Sequence, residues 1–136
     1  MARNAAGPVY SPDGSRIAFL RGPKRTFRVG GGSASATEVL TDISTMNADG
    51  SAVTRVTRTP RQIAFGPAWD PSGQRLAFAQ LQAGADEGDL LGVGDSLMEV
   101  NPDGSCRTRV ASDPKTILSS PVWQPGPGRE AGRIAC

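Results

Sequence analysis

The chain contains no histidine among its 136 residues. Histidine changes charge most readily near neutral pH, and it is the most common protein ligand of transition metals. A Ser-His-Asp or Cys-His catalytic group therefore cannot be built from these residues. The segment nearest to a nucleophile elbow begins at Gly94 and places Ser96 two residues later, but Met98 stands where the Gly-x-Ser-x-Gly pattern requires its second glycine. We predict no catalytic residue, no metal site and no cofactor in this chain.

Three aspartates that each precede a glycine invite comparison with a calcium loop. Asp13, Asp49 and Asp103 have this setting, but the alternating acidic ligands and the terminal glutamate of a calcium loop are missing. Aspartate can hydrogen-bond its own backbone and glycine adopts positive φ without steric cost, so both residues favour tight turns. We interpret all three pairs as turns. The glycines at 30–32 are not followed by the Gly-Lys-Ser/Thr of a phosphate-binding loop, and we interpret them as a loop tip.

A segment of the chain recurs, and its recurrence predicts the architecture. Residues 7–19 read Gly-Pro-Val-Tyr-Ser-Pro-Asp-Gly-Ser-Arg-Ile-Ala-Phe, and residues 66–78 read Gly-Pro-Ala-Trp-Asp-Pro-Ser-Gly-Gln-Arg-Leu-Ala-Phe. A degraded third copy begins at Ser120. A second unit at 44–51 recurs at 98–105, so the spacings are 59 and 54 residues for the first unit and 54 for the second. Repetition at such a period is typical of solenoids and propellers.

Each copy of both units has the pattern of a β-hairpin. In the first unit, a short apolar segment at 8–10 is followed by a Ser-Pro-Asp-Gly turn and a returning apolar strand at 16–20. The second unit turns at Asn-Ala-Asp-Gly and returns through the β-branched segment 53–57. Glycine and proline are frequent, and apolar residues do not recur at the spacing of a helix. One repeat therefore predicts four antiparallel strands.

Four short antiparallel strands per repeat are typical of a β-propeller blade. The aromatic residue, the Asp-Gly turn and the Ile-Ala-Phe strand recur together with Met-Asn-Ala-Asp-Gly-Ser, and in this the chain resembles the TolB-type propeller repeat, a relative in shape of WD-repeat proteins. The resemblance covers nearly the whole chain outside two inserts, and it weakens where Pro-Gly-Pro-Gly at 125–128 replaces the Asp-Gly turn. It implies a bacterial periplasmic or extracellular location.

We predict an all-β chain that forms a partial β-propeller of about two and a half four-stranded antiparallel blades. Blade 1 is expected at about 7–58, blade 2 at about 66–111 and half of blade 3 at about 120–136. A closed propeller needs about 4–8 blades, so this chain cannot close a ring alone. Either it is a fragment of a longer protein, which we favour, or several copies complete a ring together.

An unclosed propeller leaves the outer faces of its terminal blades without a neighbour. We expect water to reach apolar side chains at both ends, and we predict that the isolated chain self-associates, aggregates or is poorly ordered at its C-terminal end. We also expect aromatic residues to pack between blades. The side chains expected to be wetted are Val9, Ile17, Phe19, Val122 and Ile134, and those expected between blades are Tyr10, Trp69, Trp123, Phe19 and Phe78.

The two cysteines, Cys106 and Cys136, are too few for a disulfide framework. Cys106 is predicted at the start of the outermost strand of blade 2, and Cys136 at the end of the second strand of blade 3. Two interpretations are open. We favour two separate small buried side chains. The alternative is a bridge between adjacent blades, which would require an oxidising compartment.

Charge and composition argue against two classes of partner. The formal net charge is +2, from 15 basic and 13 acidic residues, and the arginines are scattered instead of forming a basic stripe. Aromatic residues make up 5% of the chain, so no stacking platform for bases is evident. No apolar run approaches the roughly 18 residues of a membrane span. We predict neither nucleic-acid nor membrane binding.

Two inserts, at 21–38 and 80–96, fall between the second and third predicted strands of their blades. In an antiparallel blade these connections share one face with the links between blades, and loops gathered on a rigid scaffold are common binding sites. The first insert is basic and the second acidic, so they could instead pair with each other. The predicted binding residues are Lys24, Arg25 and Arg28 in the first insert and Asp86, Glu87 and Asp89 in the second.

These observations predict a non-catalytic propeller scaffold that binds protein or peptide through the face carrying the inserts. The alternative is the propeller segment of a larger hydrolase or lyase whose catalytic residues lie outside this chain.

Overall fold

The computed structural model describes residues 5–22, 24–28, 35–39, 42–58, 62–82 and 95–113, together with Pro121, Trp123, Ile134 and Cys136. All regular secondary structure in these residues is β-strand. A search of the same residues finds no helix with the length and apolar character needed to cross a membrane.

Ten strands follow one another along the described chain. They are β1 (Ala5–Tyr10), β2 (Arg16–Arg21), β3 (Lys24–Arg28), β4 (Ser35–Val39), β5 (Asp42–Asn47), β6 (Thr54–Arg55), β7 (Gln62–Trp69), β8 (Leu76–Gln82), β9 (Asp95–Val100) and β10 (Thr108–Asp113).

The strands form two four-stranded antiparallel sheets and one two-stranded ribbon. The first sheet has the order β1-β2-β5-β6, and we call it blade 1. The second has the order β7-β8-β9-β10, and we call it blade 2. Strands β3 and β4 pair only with each other in the described part of the chain. The prediction of all-β, four-stranded antiparallel blades is confirmed.

Short polar side chains build the turns between strands. The Asp13 carboxylate accepts hydrogen bonds from the Ser11 hydroxyl at 2.7 Å and from the Ser15 backbone N–H at 3.0 Å. The Ser11 bond first, and then the Ser15 bonds, lower the pKa of Asp13 to about 2. Hydrogen bonds from Ser51 likewise lower the pKa of Asp49. The interpretation of these aspartates as turn residues is confirmed.

Blade 2 builds the first turn with the two side chains exchanged. Asp70 stands where blade 1 has Ser11, and Ser72 stands where blade 1 has Asp13. The Ser72 hydroxyl donates to the Asp70 carboxylate at 2.6 Å, and the Asp70 carboxylate also accepts from the backbone N–H of Arg75 at 3.0 Å. The same serine–aspartate hydrogen bond therefore closes both turns, although the residue types have changed places.

The hydrophobic core lies between the two blades. Successive side chains of a strand point to opposite faces, so each blade contributes one face to this contact. Phe78 and Leu76 of the central strand β8 are fully buried there. The cluster comprises Ala18, Ile43 and Val56 from blade 1 and Ala64, Trp69, Leu76, Phe78, Met98 and Val100 from blade 2, with Leu20 packed against it.

The expected wetting of the outer face of blade 1 is wrong for two residues. Ile17 is 6% exposed and Phe19 is 2% exposed. Both lie on the second strand of the sheet, where side chains on the same face flank them across the strands: Tyr10 and Met46 lie opposite Ile17, and Ser44 lies opposite Phe19. Val9 lies on the edge strand β1 and is 37% exposed, as expected. At the other end Ile134 is only half-buried, while Val122 lies outside the described residues.

Three of the five aromatic side chains predicted between blades lie at contacts between repeats. Phe19 is buried, but it is not a member of the cluster between the blades. Trp69 and Phe78 are buried, and Trp123 is half-buried. Tyr10 is 61% exposed, so its predicted burial between blades is wrong. Tyr10 occupies the position of Trp69 one repeat earlier, but among the described residues no blade precedes blade 1 to cover Tyr10 as blade 1 covers Trp69.

Cys106 and Cys136 form a disulfide. The favoured interpretation of two separate thiols is therefore wrong, and the alternative of a bridge holds. The bridge joins the segment before β10 to the end of the chain, with the two Cα atoms 5.4 Å apart. Asn101 adds a second connection, because its side-chain amide donates to the Ile134 carbonyl at 3.0 Å and its amide oxygen accepts from the Ile134 N–H at 2.8 Å. These bonds attach the last residues to blade 2.

Gly104 and Gly50 provide a matched test of the contact between blades. They are equivalent turn residues with φ of +89° and +88°. A Cβ on Gly104 would lie 2.8 Å from the Val56 carbonyl oxygen, whereas a Cβ on Gly50 meets no atom within 4 Å. We expect Gly50→Ala to lower the free energy of unfolding by about 1–2 kcal/mol through backbone strain alone. Gly104→Ala should cost about 1–3 kcal/mol more in urea unfolding. Equal losses would contradict the close approach of the blades.

Reduction of the disulfide should destabilise the chain. The two cysteines are 30 residues apart, and opening a loop of that length is expected to lower the free energy of unfolding by about 3–4 kcal/mol. Urea unfolding with and without a reductant measures the change. The Cys106→Ser, Cys136→Ser double variant is the control, and without reductant it should match the reduced protein. An unchanged urea midpoint on reduction would refute this prediction.

Candidate functional site

The first insert forms a two-stranded ribbon. It lies between the second and third strands of blade 1, as the sequence predicts, and β3 pairs with β4 so that Lys24 is opposite Val39 and Arg28 is opposite Ser35. Apart from each other, β3 and β4 approach no other described strand within 8 Å between Cα atoms. The ribbon is therefore an element of its own in the described part of the chain.

All three predicted basic binding residues, Lys24, Arg25 and Arg28, lie on β3. The register places Arg25 opposite Glu38 on β4. The two edges of the ribbon are formed by β3 and β4, and the three predicted basic residues all belong to the β3 edge. The predicted acidic residues Asp86, Glu87 and Asp89 lie outside the described residues, and the pairing of the two inserts remains a prediction.

The second insert is shorter than predicted. Strand β8 ends at Gln82 and β9 begins at Asp95, so the connection spans 83–94 and not 80–96. Gln80 and Ser96 are opposite each other in the register of these strands, and both are buried. Arg107 donates a hydrogen bond to the Gln80 side-chain oxygen inside the fold. A buried polar residue with a partner is compatible with a strand.

A tryptophan joins each blade to the blade before it. The indole N–H of Trp69 donates to the backbone carbonyl of Val9 at 3.1 Å, and that of Trp123 donates to the carbonyl of Ala68 at 3.0 Å. Both tryptophans end a Pro-x-Trp segment, and each acceptor is the middle residue of the corresponding segment one repeat earlier. The same hydrogen bond therefore recurs at both contacts between repeats.

One arginine reinforces the contact between blades 1 and 2, and its equivalent one repeat later is held within blade 2. The Arg16 guanidinium lies over the Trp69 ring, 5.5 Å from its centroid, and it donates to the Thr45 hydroxyl at 3.1 Å. Arg75 occupies the equivalent position in blade 2 and donates to the Glu99 carboxylate at 3.2 Å. Guanidinium groups bind both aromatic faces and hydrogen-bond acceptors, so these two arginines are held in defined positions.

Two clefts run along the boundary between the blades, and we call them together the seam groove. One has a volume of about 570 Å³ and the other about 270 Å³. Both are lined by Thr54 of β6 and by Asp103 of the turn between β9 and β10, so they are adjacent. The larger cleft is also lined by Arg55, Arg58 and Arg107, and the smaller one by Arg16.

Two arginines of the larger cleft, Arg55 and Arg107, contact groups inside the fold. Arg55 forms an ion pair with the buried Asp42 carboxylate and donates through Nε to the Thr57 carbonyl at 3.1 Å. The Thr57 hydroxyl donates to the same carboxylate at 2.8 Å. Arg107 lies 6.0 Å from the Phe78 ring centroid. Burial lowers the pKa of the Arg107 guanidinium, and the Asp42 charge opposes this effect.

Sequence reasoning missed the seam groove. Arg55 and Arg107 are far apart in sequence, and only the packing of one repeat on the next brings them to the same cleft. The repeat alignment contained a usable signal, because Val53-Thr54-Arg55 corresponds to Arg107-Thr108-Arg109. Both outer strands are therefore basic. The described residues contain no group of three or more histidine, cysteine, aspartate or glutamate side chains placed to hold a metal ion.

Two repeated four-stranded sheets that stack face to face define a segment of a β-propeller. No protein-family model matches the chain. Over 67 residues it is 43% identical to the Tol-Pal system protein TolB of Anaeromyxobacter dehalogenans (strain 2CP-C), a match that covers 49% of this chain and 12% of that protein. The chain therefore spans only a small part of that relative's length.

Solved structures show the same fold. One is a protein of Agrobacterium tumefaciens provisionally named TolB, with a TM-score of 0.56 and 22% identity over 79% of this chain and 33% of that one. Another is an oligogalacturonate lyase in complex with manganese, with a TM-score of 0.52 and 18% identity over 80% of this chain and 25% of that one. At these identities the two structures show the fold alone. Over the 67 matched residues, the repeats of this chain are similar to those of a TolB protein, and both solved structures have the same fold.

The tryptophan hydrogen bond should contribute to stability where it has a partner. We expect Trp69→Phe to lower the free energy of unfolding by about 2–4 kcal/mol, because it removes the bond to the Val9 carbonyl and leaves a gap in the core. Tyr10→Phe is the matched control at the equivalent, exposed position, and it should change stability by less than about 0.5 kcal/mol. Urea unfolding of both variants tests this. A Trp69→Phe variant as stable as Tyr10→Phe would show that the bond contributes nothing.

Proposed function

We propose that this chain is a non-catalytic segment of a β-propeller that binds a protein or peptide through the face carrying the inserts. The ribbon formed by β3 and β4 is the observation that carries this proposal. Strand edges without a neighbour present backbone N–H and C=O groups in a row, and an extended peptide can pair with them as an additional strand. The ribbon lies apart from both blades, so its edges are accessible within the described part of the chain.

The blades supply a rigid base for this ribbon. Strands β2 and β5, between which the ribbon is inserted, pair in continuous register from Arg16 with Asn47 to Arg21 with Asp42. A binding element that leaves such a sheet is anchored at both ends. Less conformational freedom is then lost when a partner binds, because the scaffold is already ordered.

We further propose a bacterial periplasmic or extracellular location. The Cys106–Cys136 disulfide supports it, because disulfides persist in oxidising compartments and are rare in the reducing cytosol. The TolB-type repeat points in the same direction by resemblance.

Additional blades are proposed to cover the exposed edge of blade 1. Val9 and Tyr10 lie on β1 at the position where blade 2 contributes Ala68 and Trp69 to its own contacts. A preceding blade, from the same protein or from another copy, would place an acceptor within reach of Tyr10. Self-association of the isolated chain is the expected consequence, and light scattering over a range of concentrations would detect it.

The alternative function is that of a propeller segment in a larger hydrolase or lyase whose catalytic residues lie outside this chain. The coding sequence on either side distinguishes the two. A Gly-x-Ser-x-Gly segment with a histidine downstream would favour the hydrolase. Further TolB-type repeats alone would favour the scaffold.

Affinity capture from bacterial extracts tests the binding proposal. We expect the wild-type chain to retain a partner that is lost when residues 24–39 are replaced by a short glycine–serine linker. A second deletion, of residues 84–93, measures the contribution of the other insert. Ser72→Ala is the control, because it alters a turn at the opposite end of β8 from that insert. Thermal unfolding verifies that each variant remains folded. Capture of the same partner by both deletion variants would overturn the proposal.

A further inference from the structure

We propose that the seam groove between blades 1 and 2 is a second binding site, and that its ligand is an extended acidic peptide whose carboxylates pair with the groove arginines. The site is distinct from the ribbon, and it rests on the proposed peptide-binding function only for the class of its ligand.

The lining of the groove is strongly basic. Arg16, Arg55, Arg58 and Arg107 line it, and Asp103 is the single acidic residue among the described residues of the lining. The Asp103 carboxylate accepts hydrogen bonds from the Ser105 backbone N–H at 2.9 Å and from the Ser105 hydroxyl at 2.6 Å. The Asp103 carboxylate is therefore already hydrogen-bonded within its own turn. The groove as a whole favours an anionic ligand.

The fold positions two of the groove arginines before any ligand binds. Arg16 is held by Trp69 and Thr45, and Arg55 by Asp42 and the Thr57 carbonyl. Each guanidinium carries five N–H donors in a planar fork. Arg55 directs two of its nitrogens to these internal partners, and Arg16 directs one to Thr45. The remaining donors are oriented without further loss of side-chain freedom.

Arg58 is the arginine best placed to recognise a ligand. It follows Thr57 directly, lines the larger cleft and is exposed. It makes no hydrogen bond or ion pair within the part of the chain that the structure describes. A carboxylate matches the guanidinium fork with two parallel hydrogen bonds, so Arg58 provides a specific acceptor site for an aspartate or glutamate.

The shape of the groove favours a peptide over other anions. The two clefts share Thr54 and Asp103 in their linings and have volumes of about 570 Å³ and 270 Å³, so together they offer room for several residues of a peptide and far more than a compact ion needs. Alternate side chains of an extended peptide project to the same side, about 7 Å apart. Val53 borders the larger cleft and is 47% exposed, so it can contact the intervening residues. No aromatic side chain lines either cleft among the described residues, and nucleic-acid bases would find no stacking partner.

Fluorescence anisotropy tests the proposal with a labelled octapeptide that alternates glutamate with threonine. The competing peptide has glutamine in place of every glutamate. We expect the full 136-residue chain to bind the acidic peptide, Arg58→Gln to weaken binding about fivefold and Arg58→Glu to weaken it by about tenfold or more. Arg21→Gln is the matched control, because Arg21 is an exposed arginine at the end of β2 that lines neither cleft. It should change the affinity by less than about twofold.

Four results would overturn the proposal. The wild-type chain could fail to bind the acidic peptide, or the glutamine peptide could bind equally well. Arg21→Gln could weaken binding as much as Arg58→Gln, which would indicate diffuse charge attraction. A single-stranded oligonucleotide could bind more tightly than the peptide, which would indicate a nucleic-acid site.

The ribbon variant separates this proposal from the proposed function. Replacement of residues 24–39 by a linker should leave octapeptide binding intact, because β3 and β4 approach no other described strand, including β6 at the groove. If it abolishes octapeptide binding while the Arg58 variants bind normally, the groove proposal fails and the ribbon proposal stands. If the octapeptide binds in the groove while affinity capture is insensitive to both deletions, the groove proposal stands and the ribbon proposal fails.

Discussion

The contact between consecutive blades is the interaction on which this structure depends. A four-stranded sheet on its own leaves an apolar face in water, and the stacking of the next repeat removes that face from solvent. In this chain the contact combines a buried cluster around Phe78 with a directional hydrogen bond from Trp69 to the Val9 carbonyl. The cluster supplies most of the buried apolar surface, and the hydrogen bond sets the position of one blade along the next.

The same geometry returns at the next boundary, where Trp123 donates to the Ala68 carbonyl. That boundary carries two further connections, the Cys106–Cys136 disulfide and the Asn101–Ile134 hydrogen bonds. They hold Ile134 and Cys136 against blade 2. At the opposite end Tyr10 shows what the aromatic position becomes without a preceding blade, because it is exposed while its equivalents are not.

Much of the fold could be predicted from the sequence, because each repeat contains its own turn-forming residues and its own alternation of apolar and polar strand residues. The Asp-Gly turns, the four-stranded blades and the position of both inserts follow from residues close together in the chain. The disulfide, the exposure of Tyr10 and the seam groove could not be obtained in this way. Each depends on which surfaces of different repeats face one another, and Arg55 and Arg107 meet only after the blades have packed. The burial of Ile17 likewise depends on strands at both sides of β2.

Native-state hydrogen exchange resolved by residue tests most directly whether the blade contact makes one cooperative unit. The amides of Ile43 to Thr45 in blade 1 and of Phe78 and Ala79 in blade 2 lie on either side of that contact. We expect both groups to exchange through openings of the same free energy and the same urea dependence, because neither blade retains a core without the other. Exchange of the blade 1 amides through a smaller opening that leaves blade 2 protected would contradict it.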